Sequence, residues 1–241
     1  MTDIQEDNQN VPVANPAIEK YLTTGAHIGT RFKSGDMLRY IYKQRKDGLK
    51  VLDVQVIDER VKQVGQFLSK FDSKKIVIVS RKLYGKTPAE EFAKSIGAYA
   101  ITGRFVPGTF TNPEGKEFIQ PQLVIITEPE SDAQAIAEAS KVRAVVVALA
   151  STNNVLANVD VVIPINNKGR KSLALVYWLL AKEIMLQKGD IPNEEAFPKK
   201  VEDFEYPIKD GEGEDRGPKR KRRERKFTNR YEAAAGLGGD S

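Results

Sequence analysis

The residues between Gly25 and Lys50 combine fixed positive charge with aromatic rings, which suits binding of a polyanion better than catalysis. Positions 31–50 hold seven bases, three rings and only two acids. Cations pair with phosphates, and arginine and aromatic planes stack on unpaired bases, so this mixture is typical of RNA-binding surfaces. Alternatively, residues 40–42 pack in the core beside a solvated charged turn, and both interpretations can hold for neighbouring residues. The predicted RNA-binding bases are Arg31, Lys33, Arg39, Lys43, Arg45 and Lys46, next to Lys50 and the rings Phe32, Tyr40 and Tyr42.

The only histidine, His27, lies between Gly25 and Gly29. Histidine catalysis needs a nearby nucleophile, and a metal pair needs a second ligand of similar type. No serine with a glycine elbow is near His27, and the sequence has no second histidine and no cysteine. We therefore expect a structural role for His27 and no metal site, with contact to a phosphate or a base as the alternative.

A second group of bases follows three of the predicted strands. In parallel α/β sheets the carboxyl ends of the strands meet at one edge, and ligands bind there. Few acids follow the strands, mainly Asp53, Glu128 and Glu130. The sequence therefore predicts a phosphate-binding edge, although long cations can also simply decorate polar loops. The seven bases are Arg81, Lys82, Lys86, Arg104, Lys168, Arg170 and Lys171.

Residues 80–87 are similar to a phosphate-binding loop of nucleotide hydrolases. They match the pattern G-x-x-x-x-G-K-[ST] at every fixed position except the first, where Ser80 stands. Two features argue against hydrolysis. Pro88 removes an N–H from the predicted first helical turn, and the strand near 123–127 is followed by Glu128 instead of a Walker-B aspartate. A degenerate P-loop enzyme centred on Lys86 is the alternative function.

The elements that must position these residues follow from the apolar pattern. Residues 57, 61, 64, 68 and 71 are apolar at helical spacing, and residues 75–80 form a run typical of a strand buried on both faces. Capping signals place helix starts at Asn15, Thr87 and Ser131, and Gly97 is a helix stop. The predicted strands are 50–54, 75–80, 99–102, 123–127, 144–149 and 161–165, and the last helix is 172–188.

This alternation predicts an α/β fold with three layers, in which a mostly parallel sheet carries helices on both faces, as in flavodoxin-like and Rossmann-like proteins. We expect a single domain over residues 15–190. Residues 1–14 are acidic and residues 191–241 form an extended charged tail, and we expect both to be disordered. The chain lacks cysteine and an apolar run of about 20 residues, and its N-terminus is unlike a signal peptide, so we expect a cytoplasmic protein.

The net charge of +5 hides an uneven distribution. Residues 216–230 contain nine bases and one acid, whereas residues 193–215 contain nine acids and three bases. Such a basic block could be a nuclear-import signal or an arm that orders on RNA, and composition does not decide between them. The block adds Lys219, Arg220, Lys221, Arg222 and Arg223 to the predicted RNA-binding residues.

Several segments together resemble the universal small-subunit ribosomal protein number two family, whose eukaryotic members are also called the laminin-receptor precursor. They occur in the family's order and span about residues 15–187. The segments are Tyr21-Leu-Thr-Thr-Gly-Ala-His-Ile-Gly29, Tyr40-Ile-Tyr-Lys-Gln-Arg-Lys-Asp-Gly48, Gly103-Arg-Phe-Val-Pro-Gly-Thr-Phe-Thr-Asn112, Pro121-Gln-Leu-Val-Ile-Ile-Thr-Glu-Pro129 with Glu138-Ala-Ser140, and Val161-Val-Ile-Pro-Ile-Asn-Asn-Lys-Gly169 before Tyr177-Trp-Leu-Leu-Ala-Lys-Glu183.

The resemblance implies a structural, non-enzymatic component of the small ribosomal subunit, lying between head and body. Its implied partners are ribosomal RNA and neighbouring ribosomal proteins, and we expect no cofactor, membrane, small-molecule substrate or homo-oligomer. Bacterial members carry a helical insertion after the Gly-Thr-x-Thr-Asn motif, whereas eight residues separate Asn112 from Pro121 here. The chain therefore resembles the archaeal or eukaryote-like form. The resemblance also makes Gly25, His27 and Gly29 part of a family signature with a structural role.

Overall fold

The computed structural model describes residues 16–192 and 196–207. Residues 1–14, most of the predicted tail over 191–241 and the tail bases at 219–223 lie outside these residues. No helix in the described ranges is long and apolar enough to cross a membrane. The elements are α1 (Pro16–Thr24), β1 (Ile41–Gln44), β2 (Lys50–Leu52), α2 (Val54–Ser69), β3 (Ile76–Ser80), α3 (Leu83–Ile96), β4 (Tyr99–Thr102), β5 (Leu123–Ile126), α4 (Ala133–Lys141), β6 (Val145–Ala150), β7 (Val161–Pro164) and α5 (Arg170–Lys188).

Five strands form one parallel sheet in the order β4-β3-β5-β6-β7. Val77 of β3 pairs with Tyr99 of β4 on one side and with Val124 of β5 on the other. Numbered within this sheet, the order is 2-1-3-4-5, the flavodoxin-like arrangement. All five carboxyl ends lie at one edge, which we call the carboxyl edge, and the opposite side is the amino edge. The predicted α/β fold with a parallel sheet is confirmed.

Two cores cover the two faces of this sheet. Ile76 and Ile78 point to the core that contains α1, α2, α3 and α5. Val77 and Val79 point to a smaller core, where α4 and the segment 105–119 pack. Because side chains alternate along a strand, β3 must be apolar at every position, which explains its unbroken apolar run.

Helix α2 shows how local sequence and packing agree. Ile57, Val61, Val64 and Leu68 are all buried on one face, as their spacing predicts. The helix begins at Val54 because the Asp53 carboxylate accepts a hydrogen bond from the Gln55 N–H at 3.0 Å. The predicted strand over 50–54 therefore ends at Leu52.

The predicted starts of α3 and α4 are wrong. Helix α3 begins at Leu83 instead of Thr87, so Pro88 lies inside the helix, where it is buried. Pro88 has no N–H to donate to the carbonyl of Tyr84, and we attribute its tolerance to the packing of this face against the core. Helix α4 begins at Ala133, and the Ser131 hydroxyl donates to the Glu128 carboxylate instead of capping the helix.

A segment after α5 packs back onto the body. We call residues 196–206 the strap. Its Phe197 and Phe204 are buried, and the Trp178 indole N–H of α5 donates to the Lys199 carbonyl at 2.8 Å. The Lys199 ammonium pairs with the Glu91 carboxylate of α3, also at 2.8 Å. This part of the predicted charged tail thus contributes side chains to the core.

Candidate nucleic-acid interface

The parallel sheet places the bases that follow β3, β4 and β7 at the carboxyl edge. Arg81 and Lys82 link β3 to α3, and Lys86 lies in the first turns of α3. Arg104 lies two residues beyond β4. Lys168 precedes α5, and Arg170 and Lys171 are its first two residues. The topology therefore gathers these seven positions at one edge.

Two of the seven bases are engaged inside the protein. The Lys82 ammonium pairs with the buried Glu128 carboxylate at 2.5 Å. The Arg170 guanidinium pairs with Glu205 of the strap at 2.8 Å and donates to the Tyr206 carbonyl at 3.0 Å. These two cations therefore form internal contacts at the carboxyl edge: Lys82 joins the link before α3 to Glu128, and Arg170 joins α5 to the strap.

The other cations at this edge face solvent. Within the described ranges, four of them form no ion pair and no side-chain hydrogen bond, which leaves their charge available to a ligand. Arg81 is also exposed, and its charge acts on the buried Asp132. The four unpaired bases are Lys86, Arg104, Lys168 and Lys171.

Asp132 is a buried carboxyl group at the start of α4, beside this edge. Burial raises the pKa of Asp132 to about 6, and the charge of Glu128 acts in the same direction while that of Arg81 opposes it. At neutral pH the group is therefore mostly ionised despite its burial.

Strands β1 and β2 form an antiparallel hairpin that carries most of the basic stretch. All six predicted RNA-binding bases of residues 31–46 are exposed. The rings divide between the two interpretations: Phe32 and Tyr42 are 78% and 69% exposed, whereas Tyr40 is buried. Lys50 does not belong to this surface, because it is buried and its ammonium donates to the Gln44 side chain.

The tip of the hairpin is a tight turn. The Gly48 φ of +85° is in the left-handed region, and its N–H donates to the Arg45 carbonyl at 3.0 Å. The Asp47 carboxylate accepts from the Leu49 N–H at 3.2 Å and lies 3.5 Å from the Arg45 guanidinium. Lys46 remains exposed and without an ion pair among the described residues, so the turn presents this base to solvent.

The stretch from Gly25 to Gly29 links α1 to the hairpin by close backbone contacts. Gly25, with φ +69°, follows the end of α1, and the Gly29 N–H donates to the Lys50 carbonyl at 2.9 Å. A Cβ on Gly29 would lie 2.4 Å from the Thr152 methyl carbon, so only glycine fits without a shift. His27 is half-buried, with Nδ1 3.4 Å from the Tyr21 carbonyl oxygen.

The region similar to a P-loop has a different geometry. Only Arg81 and Lys82 lie between β3 and α3, which is too short a connection to wrap around phosphates. Gly85 lies in the helix, where a Cβ would come within 2.3 Å of the Ser80 hydroxyl. Gly85 therefore allows helix and strand to approach closely, and the geometry gives no support to nucleotide hydrolysis.

Sequence reasoning missed an aromatic pair at the carboxyl edge. The rings of Tyr84 and Tyr206 meet with centroids 6.0 Å apart and planes at 71°. Tyr84 lies between Arg81 and Lys86 in the sequence, and this interleaving of a ring with bases was a usable signal. The position of Tyr206 depends on the strap, and no local pattern indicates how the strap folds back.

A comparison with known protein families agrees with this architecture. The family described as ribosomal protein S2 matches residues 21–118 and 115–186. The matched residues include the hairpin, the five-stranded sheet and most of α5, and they stop before the strap. The chain belongs to the ribosomal protein S2 family, whose members are proteins of the small ribosomal subunit.

Proposed function

We propose that this protein is a structural constituent of the small subunit that binds ribosomal RNA and neighbouring ribosomal proteins between head and body, and so supports translation. The family makes it a ribosomal protein. The observation that supports RNA binding is the set of exposed, unpaired bases at the carboxyl edge and on the hairpin. Arg45, Lys82 and Arg170 are paired with acids of the protein, and the other predicted bases of these two surfaces form no ion pair within the described residues.

The proposed mechanism is neutralisation of phosphates together with a fit of shape. Each phosphate paired with a lysine or arginine releases condensed counterions, so binding weakens as salt rises. Phosphate contacts fix the position of the protein but carry little sequence information, which suits a structural role. Exposed Phe32 and Tyr42 offer additional flat surfaces to unpaired bases.

We propose no catalytic role and an archaeal or eukaryote-like form. A ribosomal protein family is generally non-enzymatic, and the short link between β3 and α3 lacks the loop that the alternative function needs. The connection between Asn112 and Pro121 contains no helix, in keeping with the absence of a bacterial-type helical insertion. The ribosome of the cytoplasm is the proposed location.

Co-sedimentation tests this proposal. Purified full-length chain is mixed with small subunits depleted of their own copy, and pelleted in moderate and in high salt. We expect one copy per subunit in moderate salt and release in high salt. Failure to pellet with the subunits in moderate salt would contradict the proposed function. Binding that is insensitive to salt would contradict its electrostatic mechanism.

A further inference from the structure

Two tyrosine rings lie together among the bases of the carboxyl edge. Tyr84, the second residue of α3, is 41% exposed, and Tyr206 ends the strap. Their rings meet edge to face. An edge-to-face pair occupies one face of only one of its rings, and the exposed part of Tyr84 is accessible to a third flat group.

The strap holds this pair in place before any ligand binds. The Arg170 guanidinium donates to the Tyr206 carbonyl at 3.0 Å and pairs with the Glu205 carboxylate at 2.8 Å. Phe204 is fully buried two residues earlier. The backbone of Tyr206 is held through its carbonyl and through the buried Phe204. Little backbone entropy is therefore lost when a nucleotide base stacks on the tyrosine pair.

Exposed cations lie at the same edge. Lys86 is in the first turns of α3, the helix of Tyr84, and Lys171 is in the first turn of α5, the helix whose Arg170 holds Tyr206. Both lysines are exposed and form no ion pair among the described residues. Aromatic rings next to unpaired cations are the combination by which proteins bind single-stranded nucleic acid. Duplex RNA keeps its bases stacked inside the helix, so only an unpaired base can offer its face.

We propose that Tyr84 and Tyr206 form a stacking site for an unpaired nucleotide of the bound RNA, while exposed cations of the carboxyl edge, Lys86 and Lys171 among them, bind phosphates of the same strand. This inference rests on the proposed function and deepens it. The site would select unpaired over paired nucleotides but would not distinguish the four bases, because every base has a flat face. It adds two aromatic residues at the carboxyl edge to the exposed rings of Phe32 and Tyr42.

Substitution of Tyr84 tests the site against a matched control. Tyr99 is 57% exposed and begins β4 at the amino edge, so Tyr99→Leu removes an exposed ring at the opposite edge of the sheet from the proposed site. The probes are a twelve-nucleotide single-stranded oligoadenylate and a twelve-base-pair RNA duplex. We expect Tyr84→Leu to weaken binding of the single strand roughly 5- to 100-fold. Duplex affinity and the salt slope should stay unchanged because no charge is lost, and Tyr99→Leu should change neither affinity.

A spectroscopic measurement keeps the inference testable if Tyr84→Leu alters the fold. Tyr84→Trp should still bind the single strand. Adding the single strand should quench the fluorescence of this variant more than that of the unaltered chain, whose only tryptophan is Trp178, and the duplex should cause no such additional quenching. Tyr206→Phe should bind like the unaltered chain and Tyr206→Leu should lose affinity for the single strand. Equal losses for both probes, or no loss for either, would overturn the stacking site.

The failure of this inference is distinguishable from that of the proposed function. If the chain pellets with small subunits but Tyr84→Leu binds the single strand normally, the stacking site is wrong and the ribosomal function stands. If Tyr84→Leu instead weakens pelleting while oligoadenylate binding is unaltered, the rings contact a neighbouring protein and the RNA site is wrong. If the unaltered chain neither pellets nor binds either probe, both proposals fail.

Discussion

The Glu138 carboxylate accepts a hydrogen bond from the Gly108 N–H at 2.8 Å and thereby ties the connection between β4 and β5 to α4. Its second oxygen accepts from the Phe110 N–H at 3.2 Å and from the Thr111 hydroxyl at 3.3 Å. This connection has no helix of its own, and Phe105 and Phe110 nevertheless form part of the smaller core. The hydrogen bonds to this one buried carboxylate therefore hold the connection at the position on the sheet where a crossover helix packs in other folds of this class.

Removal of this carboxylate should destabilise the protein. We expect Glu138→Ala to lower the free energy of unfolding by about 2 to 3 kcal/mol, because buried N–H groups lose a charged acceptor. The exposed Glu117 lies on the same connection, and Glu117→Ala should cost under about 0.5 kcal/mol. Urea denaturation measures both. Similar values for the two variants would contradict the anchoring role of Glu138.

The same group gives stability a dependence on low pH. Burial acts to raise the pKa of Glu138, but the hydrogen bonds from Gly108, Gln134 and Phe110 outweigh it and hold the pKa below its usual value. Stabilisation by Glu138 is therefore fully present above the pKa of the unfolded chain and is lost as pH falls through the lower folded value. Urea denaturation should show that the difference in free energy of unfolding between the unaltered chain and Glu138→Gln becomes smaller as pH falls from above the unfolded pKa to below the folded pKa.

Asp132 should act in the opposite sense. Its pKa in the folded protein is raised from 3.8 to about 6, so ionisation destabilises the fold as pH rises from about 4 to above 6. We expect Asp132→Asn to raise the free energy of unfolding at pH 7 by about 1 to 3 kcal/mol, and to leave it nearly unchanged at pH 4. A destabilised variant at pH 7 would show that the carboxylate has a favourable partner.

The steric role of Gly85 can be tested together with Ser80, whose hydroxyl oxygen would lie closest to an added Cβ. Gly85→Ala places a Cβ 2.3 Å from the Ser80 hydroxyl oxygen, and we expect a loss of about 1 to 3 kcal/mol. That hydroxyl has no hydrogen-bond partner in the described residues, so Ser80→Ala alone should be nearly neutral. The double variant should regain most of the loss, since alanine also favours the helix. Additive losses in thermal unfolding would contradict the steric explanation.

Bases on the hairpin and just before β1 should contribute to the salt response of RNA binding. Replacing Arg39, Arg45 and Lys46 together with alanine should reduce incorporation into small subunits and lower the slope of log affinity against log salt by up to about 2 to 3. The control replaces Lys74, Lys75 and Lys141, three exposed bases before β3 and β6 at the amino edge. An unchanged slope in the first variant would remove the hairpin from the interface.

Local periodicity was enough to predict most of the fold. The apolar face of α2 and the unbroken run of β3 appear in the sequence because each burial pattern has its own period. The start of α3 was predicted wrongly because Thr87 and Pro88 carry a strong capping signal, which the packing of the buried Pro88 overrides. Tertiary contacts decide such boundaries, and local propensity does not.

The candidate surface was only partly predictable. The positions of bases after parallel strands follow from topology, and the sequence therefore places them correctly at one edge. Whether a base is free depends on distant residues: Arg170 pairs with Glu205, and Lys50 is buried against Gln44. The aromatic pair was missed for the same reason, since Tyr84 and Tyr206 are brought together by the strap.

The anchoring by Glu138 has a consequence for how this protein can change in length. The hydrogen bonds hold residues 108–111, and β5 begins only at Leu123, so residues 112–118 are almost all exposed between two fixed ends. Added residues at this point would cost only the closure entropy of a longer loop, which grows slowly with loop length. The stretch is a permissive insertion site, where a label can be placed without disturbing the sheet.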